Sequence, residues 1–151
     1  MLRTRLNEAL KEAMRNKDQR AVGTVRLILA ALKDRDIAAR GRGNTDGIPD
    51  EEILQMLQTM IKQRRESIGL YEQGGRLELA EQEQEEIKVI ERFLPQQLGE
   101  AETKAAIDAV VKEIGAAGVK DMGRVMAELR TRYAGQMDFG KASGLVKAAL
   151  D

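Results

Sequence analysis

Residues 135–143, Gly-Gln-Met-Asp-Phe-Gly-Lys-Ala-Ser, set two glycines and a lysine at the separation used by phosphate-binding loops. That chemistry needs a hydroxyl directly after the lysine to meet magnesium, and a strand leading into the loop. Here Ala142 takes the hydroxyl position, Ser143 comes one place late, and the preceding pattern is helical. A glycine that stops one helix and an Asp138 that caps the next account for the same residues equally well. Lys120-Asp121-Met122-Gly123-Arg124 offers a second anion site: Lys120 and Arg124 sit beside a helix amino end, where positive charge is unfavourable and an external anion is welcome. The alternative is that both side chains extend into water. Arg40 and Arg42, in the Gly-rich run Arg40–Gly47, are placed to adapt to a phosphate backbone.

Arg64 asks for a different reading. In Lys62-Gln63-Arg64-Arg65, helical geometry turns Lys62 and Arg65 outward and leaves Arg64 in the middle of an apolar stripe. A helical hairpin turning at Gly74-Gly75 brings Arg64 level with about residue 84. Glu83 is the acid that falls within the facing stripe, so a buried Arg64–Glu83 ion pair satisfies both charges. The rest of the Glu83–Glu86 run reads as a solvated face with no fixed metal geometry.

Composition removes whole classes of chemistry. The 151 residues contain no Cys and no His, so thiol nucleophiles, disulfides, soft metal sites and imidazole acid–base catalysis are absent. No catalytic, cofactor-binding or metal-ligating residue is expected. The 25 basic and 25 acidic residues cancel overall but are unevenly spread. Up to Arg42, eleven basic residues face five acids, while residues 77–91 hold six glutamates against Lys88 alone. Such a dipolar chain can draw a polyanion to one face. The amino end shows no basic-then-apolar signal and no run of membrane-spanning length, so a cytosolic location and no membrane contact are expected.

These residues must be positioned by helices. Leu2, Leu6, Leu10 and Met14 recur at helical spacing, and Asp18 is placed to cap a second helix striped by Val22, Val25, Leu29 and Leu32 toward Ile37. Pro49-Asp50-Glu51-Glu52 opens a third helix, because proline suits a first turn and carboxylates favour the positive dipole end. Gly74-Gly75 turns into a fourth, from about Arg76 to Phe93. Pro95 then has no amide hydrogen and pushes Leu94 out of helical geometry, which cuts the chain at Leu94-Pro95-Gln96-Gln97-Leu98. Beyond it, Ile107 to Ile114, Met122 to Leu129 and Leu145 to Leu150 mark three shorter helices, with Asp121 and Asp138 as caps of the last two. The expectation is all-α: two small domains, a bundle of about four helices over residues 1–94 and a three-helix domain over residues 95–151, joined by a packed hinge.

The stretches Ile61–Ser67, Gly75–Ala80, Phe93–Leu98 and Lys120–Met126 resemble, in order and over nearly the whole chain, the GatB/YqeY family in its free-standing YqeY-like form. The part after the hinge is similar to the tail domain of the GatB subunit of glutamine-dependent tRNA amidotransferase. Gly99 departs from that pattern, which often has a capping serine there. The resemblance implies a two-domain all-α protein whose relatives act on or beside tRNA, while the kinase, transamidation and glutaminase chemistry of the amidotransferase lies in parts with no counterpart here. The leading expectation is thus a non-catalytic accessory module whose partner is tRNA or a tRNA-charging or tRNA-amidating enzyme, with Arg40, Arg42, Lys120 and Arg124 as RNA contacts. Two alternatives stand beside it: a component of a glutamine-dependent carbon–nitrogen ligase reaction, and a protein–protein adaptor without RNA contact.

Overall fold

A computed structural model describes every residue from Met1 to Asp151. The chain is all-α, with seven α-helices and no strand: α1 Leu2–Arg15, α2 Gln19–Gly41, α3 Asp50–Gln73, α4 Leu77–Glu91, α5 Glu100–Ile114, α6 Met122–Arg132 and α7 Phe139–Leu150, with a single 3-10 turn at Val119–Asp121 before α6. The backbone resolves into two compact units, Met1–Leu94 and Pro95–Asp151, each with its own apolar cluster.

In the first unit α3 and α4 form a hairpin, α2 packs on α4, and α1 lies along α2. Leu6, Ile28, Ile53, Leu57 and Ile90, one or two from each helix, are fully buried at its centre. Asp18 caps α2 as its position suggests, its carboxylate accepting from the amide of Ala21. Two helix ends differ from the sequence expectation. α2 does not stop near Ile37 but runs to Gly41, because Ala39 is fully buried and draws the last turn onto the core. α4 stops at Glu91, and the amides of Arg92, Phe93 and Leu94 bond three residues back, to Val89, Ile90 and Glu91, so that the chain tightens before Pro95.

The Gly-rich run after α2 is anchored at its far end. Arg3 grips Asp36 with two hydrogen bonds of 2.7 Å and also donates to the carbonyl of Ile48 at 3.0 Å, while the Ile48 amide donates to Asp36 at 2.9 Å. Gly47 is required beneath this clamp: its φ is +89°, and a Cβ there would stand 2.6 Å from the Arg3 guanidinium. The Arg3 bonds hold the Asp36 carboxyl down at about 2, below its ordinary 3.8. A depressed carboxylate stabilises the fold at all pH values above 3.8, and that contribution is lost as pH falls through 2. Arg3 is 38% exposed and Asp36 18%, so solvent screening leaves the clamp worth about 1–2 kcal/mol. Asp36→Asn is therefore expected to lower the neutral-pH melting temperature and to flatten the acid limb of the stability curve between pH 4 and 2. An acid limb identical to wild type would show that the clamp is not what titrates.

In the second unit α5, α6 and α7 pack pairwise around Ile107, Val110, Val125, Leu129 and Val146. Gly115 ends α5 in the left-handed region at φ +72°, as a glycine stop does. Arg132 on α6 bonds Glu113 of α5 at 2.6 Å and Glu128 at 2.7 Å, tying the two helices together at the surface. Gly99 has no side-chain oxygen to cap α5. The amide of Gly99 instead donates to the carboxylate of Glu102, and the hydroxyl of Thr103 donates to the Gly99 carbonyl.

Candidate functional site

The near match to a phosphate loop is resolved by its own hydrogen bonds. The Asp138 carboxylate accepts from the amides of Gly140 and Lys141 at 2.9 and 3.2 Å, so the donors that would cradle a phosphate already hold an anion of the chain. Ala142, at the hydroxyl position, is fully buried in the core of the second unit. The segment builds a helix start.

At Lys120–Arg124 the structure separates what the sequence places side by side. Asp121 does not cap α6 through its side chain. The 3-10 turn rotates it back, and its carboxylate accepts from the amide of Ala117 at 2.9 Å; that bond, with the neighbouring Arg124 and Lys120 charges, lowers its pKa. Arg124 donates to the carbonyl of Ile114 at the end of α5 and lies 3.5 Å from Asp121. Its charge thus complements the negative end of α5, whereas Lys120 is exposed and forms no ion pair. Arg40 belongs to the last turn of α2 and not to the loop; Arg42 is the residue that closes the helix. Both are exposed, and neither enters an ion pair.

Arg64 donates to Glu86 at 3.0 Å and to the carbonyl of Met60 at 3.2 Å, with Glu83 farther away at 3.8 Å. Glu83, the acid expected from the sequence, lies within ion-pair distance of Arg64, and Glu86, one turn on, is the partner that takes the hydrogen bond. Side-chain exposures of 14% for Arg64, 21% for Glu83 and 13% for Glu86 put two carboxylates and one guanidinium largely out of water. Burial, followed by the charge of Glu86, raises the pKa of Glu83.

Sequence reasoning gave no sign of an open cleft of about 510 Å³ between α1 and α4 over α2. Arg5 and Arg92 stand on its rim with Glu8 and Glu12, and Val25 and Val89 line its floor. Arg5 donates to the carbonyl of Arg92 at 3.1 Å and lies 5.8 Å from the centroid of Phe93. Small residues such as Ala9, Ala13 and Ala21 hollow it out, but they read in the sequence as ordinary helix positions. No group of three or more Asp or Glu converges as a metal-ligand set anywhere in the chain.

The fold defines a small all-α protein with two apolar clusters. The chain belongs to the YqeY-like protein family, whose model matches residues 3–150, a family related to the C-terminal tail domain of GatB. It is similar to proteins named "Altered inheritance of mitochondria protein 41, mitochondrial". The one from Eremothecium gossypii is 31% identical over 149 residues, 96% of this chain and 78% of that protein. The one from Lachancea thermotolerans is 30% identical over 111 residues, 72% of this chain and 57% of its own length. The match to the Saccharomyces cerevisiae protein, 30% over 87 residues, spans 45% of that relative. These names correct the cytosolic expectation, since each relative is named as a mitochondrial protein. The pattern behind that expectation tests for the secretory route alone and does not distinguish cytosol from mitochondrion. No helix is long and apolar enough to cross a membrane.

Proposed function

We infer that this protein is a non-catalytic accessory module of two helical domains, residues 1–94 and 95–151, articulated at Leu94-Pro95-Gln96-Gln97-Leu98, that associates with tRNA or with a tRNA-charging or tRNA-amidating enzyme. The observation that carries this reading is membership in a family related to the tail domain of a tRNA amidotransferase subunit. Arg40 and Arg42 in the first unit and Lys120 in the second, exposed and in no ion pair, support it as phosphate contacts, and Arg124 follows Lys120 by one helical turn. Tyr71, Phe93, Tyr133 and Phe139 do not interleave with these cations, and Phe93 is buried. Base stacking of the kind single-strand binders use has no platform here. RNA would be held by shape and charge, weakly, with strong salt dependence.

Titration with folded tRNA at several salt concentrations tests this. The doubly reversed variant Lys120→Glu/Arg124→Glu is expected to bind more weakly, with roughly one unit of log–log salt slope lost per phosphate contact removed. Arg40→Glu/Arg42→Glu is expected to act in the same direction. Absence of tRNA binding by the wild-type chain at low salt would refute the RNA arm. Glutamine-dependent ammonia release by the pure protein, abolished by a point substitution, would refute the non-catalytic one.

A further inference from the structure

The outer face of α2 carries a pattern that the tRNA reading touches only at Arg40. Nine of its exposed residues from Gly23 to Gly41 fall in three rows at seven-residue spacing, while Arg35 and Ala38 are exposed to one side of them. Gly23, Ala30 and Ile37 run down the centre, and Arg26, Lys33 and Arg40 form one edge. Leu27, Asp34 and Gly41 form the other. The opposite side of the helix, through Ala21, Val25, Ile28, Leu32 and Ala39, is buried in the core of the first unit. Leu27 and Ile37 are large aliphatic side chains left 48% and 51% exposed. Arg26, Lys33 and Arg40 enter no ion pair, although Arg3 and Arg20 nearby are taken by Asp36 and Glu85.

A seven-residue repeat on a straight helix face is the spacing at which a second helix packs alongside. The glycine and alanine at the centre let its backbone approach, while Leu27 and Ile37 supply apolar contact. The cationic edge, about 21 Å long from Arg26 to Arg40, sets the partner's charge. We propose that the outer face of α2 docks an amphipathic helix of a partner protein, one that carries an apolar seam and an acidic edge at heptad spacing. Three other occupants fit less well. A second copy of α2 sets Arg26, Lys33 and Arg40 against one another or against Asp34 alone. A phosphate backbone gives Leu27 and Ile37 nothing to pack on. An anionic lipid surface favours cations on both edges, yet the second edge is Leu27, Asp34 and Gly41; Asp34 would be repelled, and the exposed cation on that side, Arg35, lies farther round the helix.

The inference goes beyond the tRNA reading, and its test separates the two. The probe is a synthetic helical peptide of about three heptads with a leucine seam and glutamates along one edge. Its control carries lysines in place of the glutamates. Binding is followed by fluorescence anisotropy, and the face by amide chemical shifts of α2. The acidic peptide is expected to bind with shifts confined to α2, and the lysine peptide not to bind. Arg26→Glu/Lys33→Glu, which leaves Arg40 and Arg42 in place, is expected to weaken the peptide about tenfold or more while tRNA titration is unchanged. Leu27→Ser/Ile37→Ser is expected to weaken the peptide with melting temperature preserved. Failure of the acidic peptide to bind, equal binding of both peptides, or shifts elsewhere overturns the proposal. If the Arg26→Glu/Lys33→Glu variant instead loses tRNA, or loses phosphatidylglycerol vesicles that the wild type holds, the face belongs to RNA or lipid and the helix proposal is overturned. Peptide binding without any tRNA binding refutes the RNA reading and leaves this one standing.

Discussion

Arg64→Ala is expected to destabilise the first unit by about 3 kcal/mol, because it leaves Glu83 and Glu86 facing each other out of water without a cation. For a unit of this size that lowers the melting temperature by at least about 10 °C. The pH dependence distinguishes this cause from simple loss of packing. Burial and the Glu86 charge hold the pKa of Glu83 above its ordinary value even with Arg64 present. A raised carboxyl favours the folded state while protonated, and that contribution is lost as pH rises through the folded pKa. Removing the guanidinium widens this effect, so the deficit of Arg64→Ala is greatest at neutral pH and shrinks as the solution is acidified toward pH 4. Adding Glu83→Gln to Arg64→Ala is expected to restore part of the loss, whereas Glu83→Gln alone is neutral or slightly stabilising since Arg64 keeps Glu86. A deficit independent of pH would mean that packing, and not charge, is what Arg64 supplies. Unchanged melting together with loss of a binding partner would make Arg64 functional instead.

This trio also shows how far the sequence could be read. That Arg64 interrupts an apolar stripe and needs an acid from α4 follows from helical periodicity and a hairpin at Gly74-Gly75. Glu83 is indeed one of its ion-pair partners, but that Glu86 takes the hydrogen bond does not follow, because counting back from a turn fixes the level only to within one helical turn. Glu83 and Glu86 lie on either side of that level, and Arg64 pairs with both. The Asp18 and Asp138 caps were legible because a cap is a local event, made with amides two or three residues on. Asp121 obeyed the same local logic in composition but not in structure. A 3-10 turn rotated its carboxylate toward Ala117 behind it. The Arg3–Asp36–Ile48 clamp gave no signal at all. Its partners stand 33 and 45 residues apart from Arg3, and nothing short of the packed α1–α2 pair brings them together. The cleft beside Arg5 was hidden for a related reason: Ala9, Ala13 and Ala21 are good helix formers anywhere, and only packing turns three missing side chains into a cavity.

Phe93→Ala is the second large effect expected. Phe93, two residues before Pro95, is buried in the cluster of the first unit together with Ile90 and Val89, and it is one of two phenylalanines in the chain. Removing a buried ring costs the lost transfer energy and the cavity left behind, about 3–5 kcal/mol. A further few tenths come from Arg5, whose guanidinium loses the ring face it covers. Phe93→Leu keeps most of the volume and is expected to cost about half as much, which separates apolar filling from the ring's own contribution. Where the damage falls is as informative as its size. The second unit has its own core, with Val110, Val125 and Leu129 fully buried. If the two units are domains that fold separately, hydrogen exchange in Phe93→Ala accelerates at Ile28, Leu57 and Ile90 while Val110, Val125 and Leu129 keep wild-type protection. Equal acceleration in both sets would show one cooperative fold, and the articulated two-domain reading would then have to be abandoned.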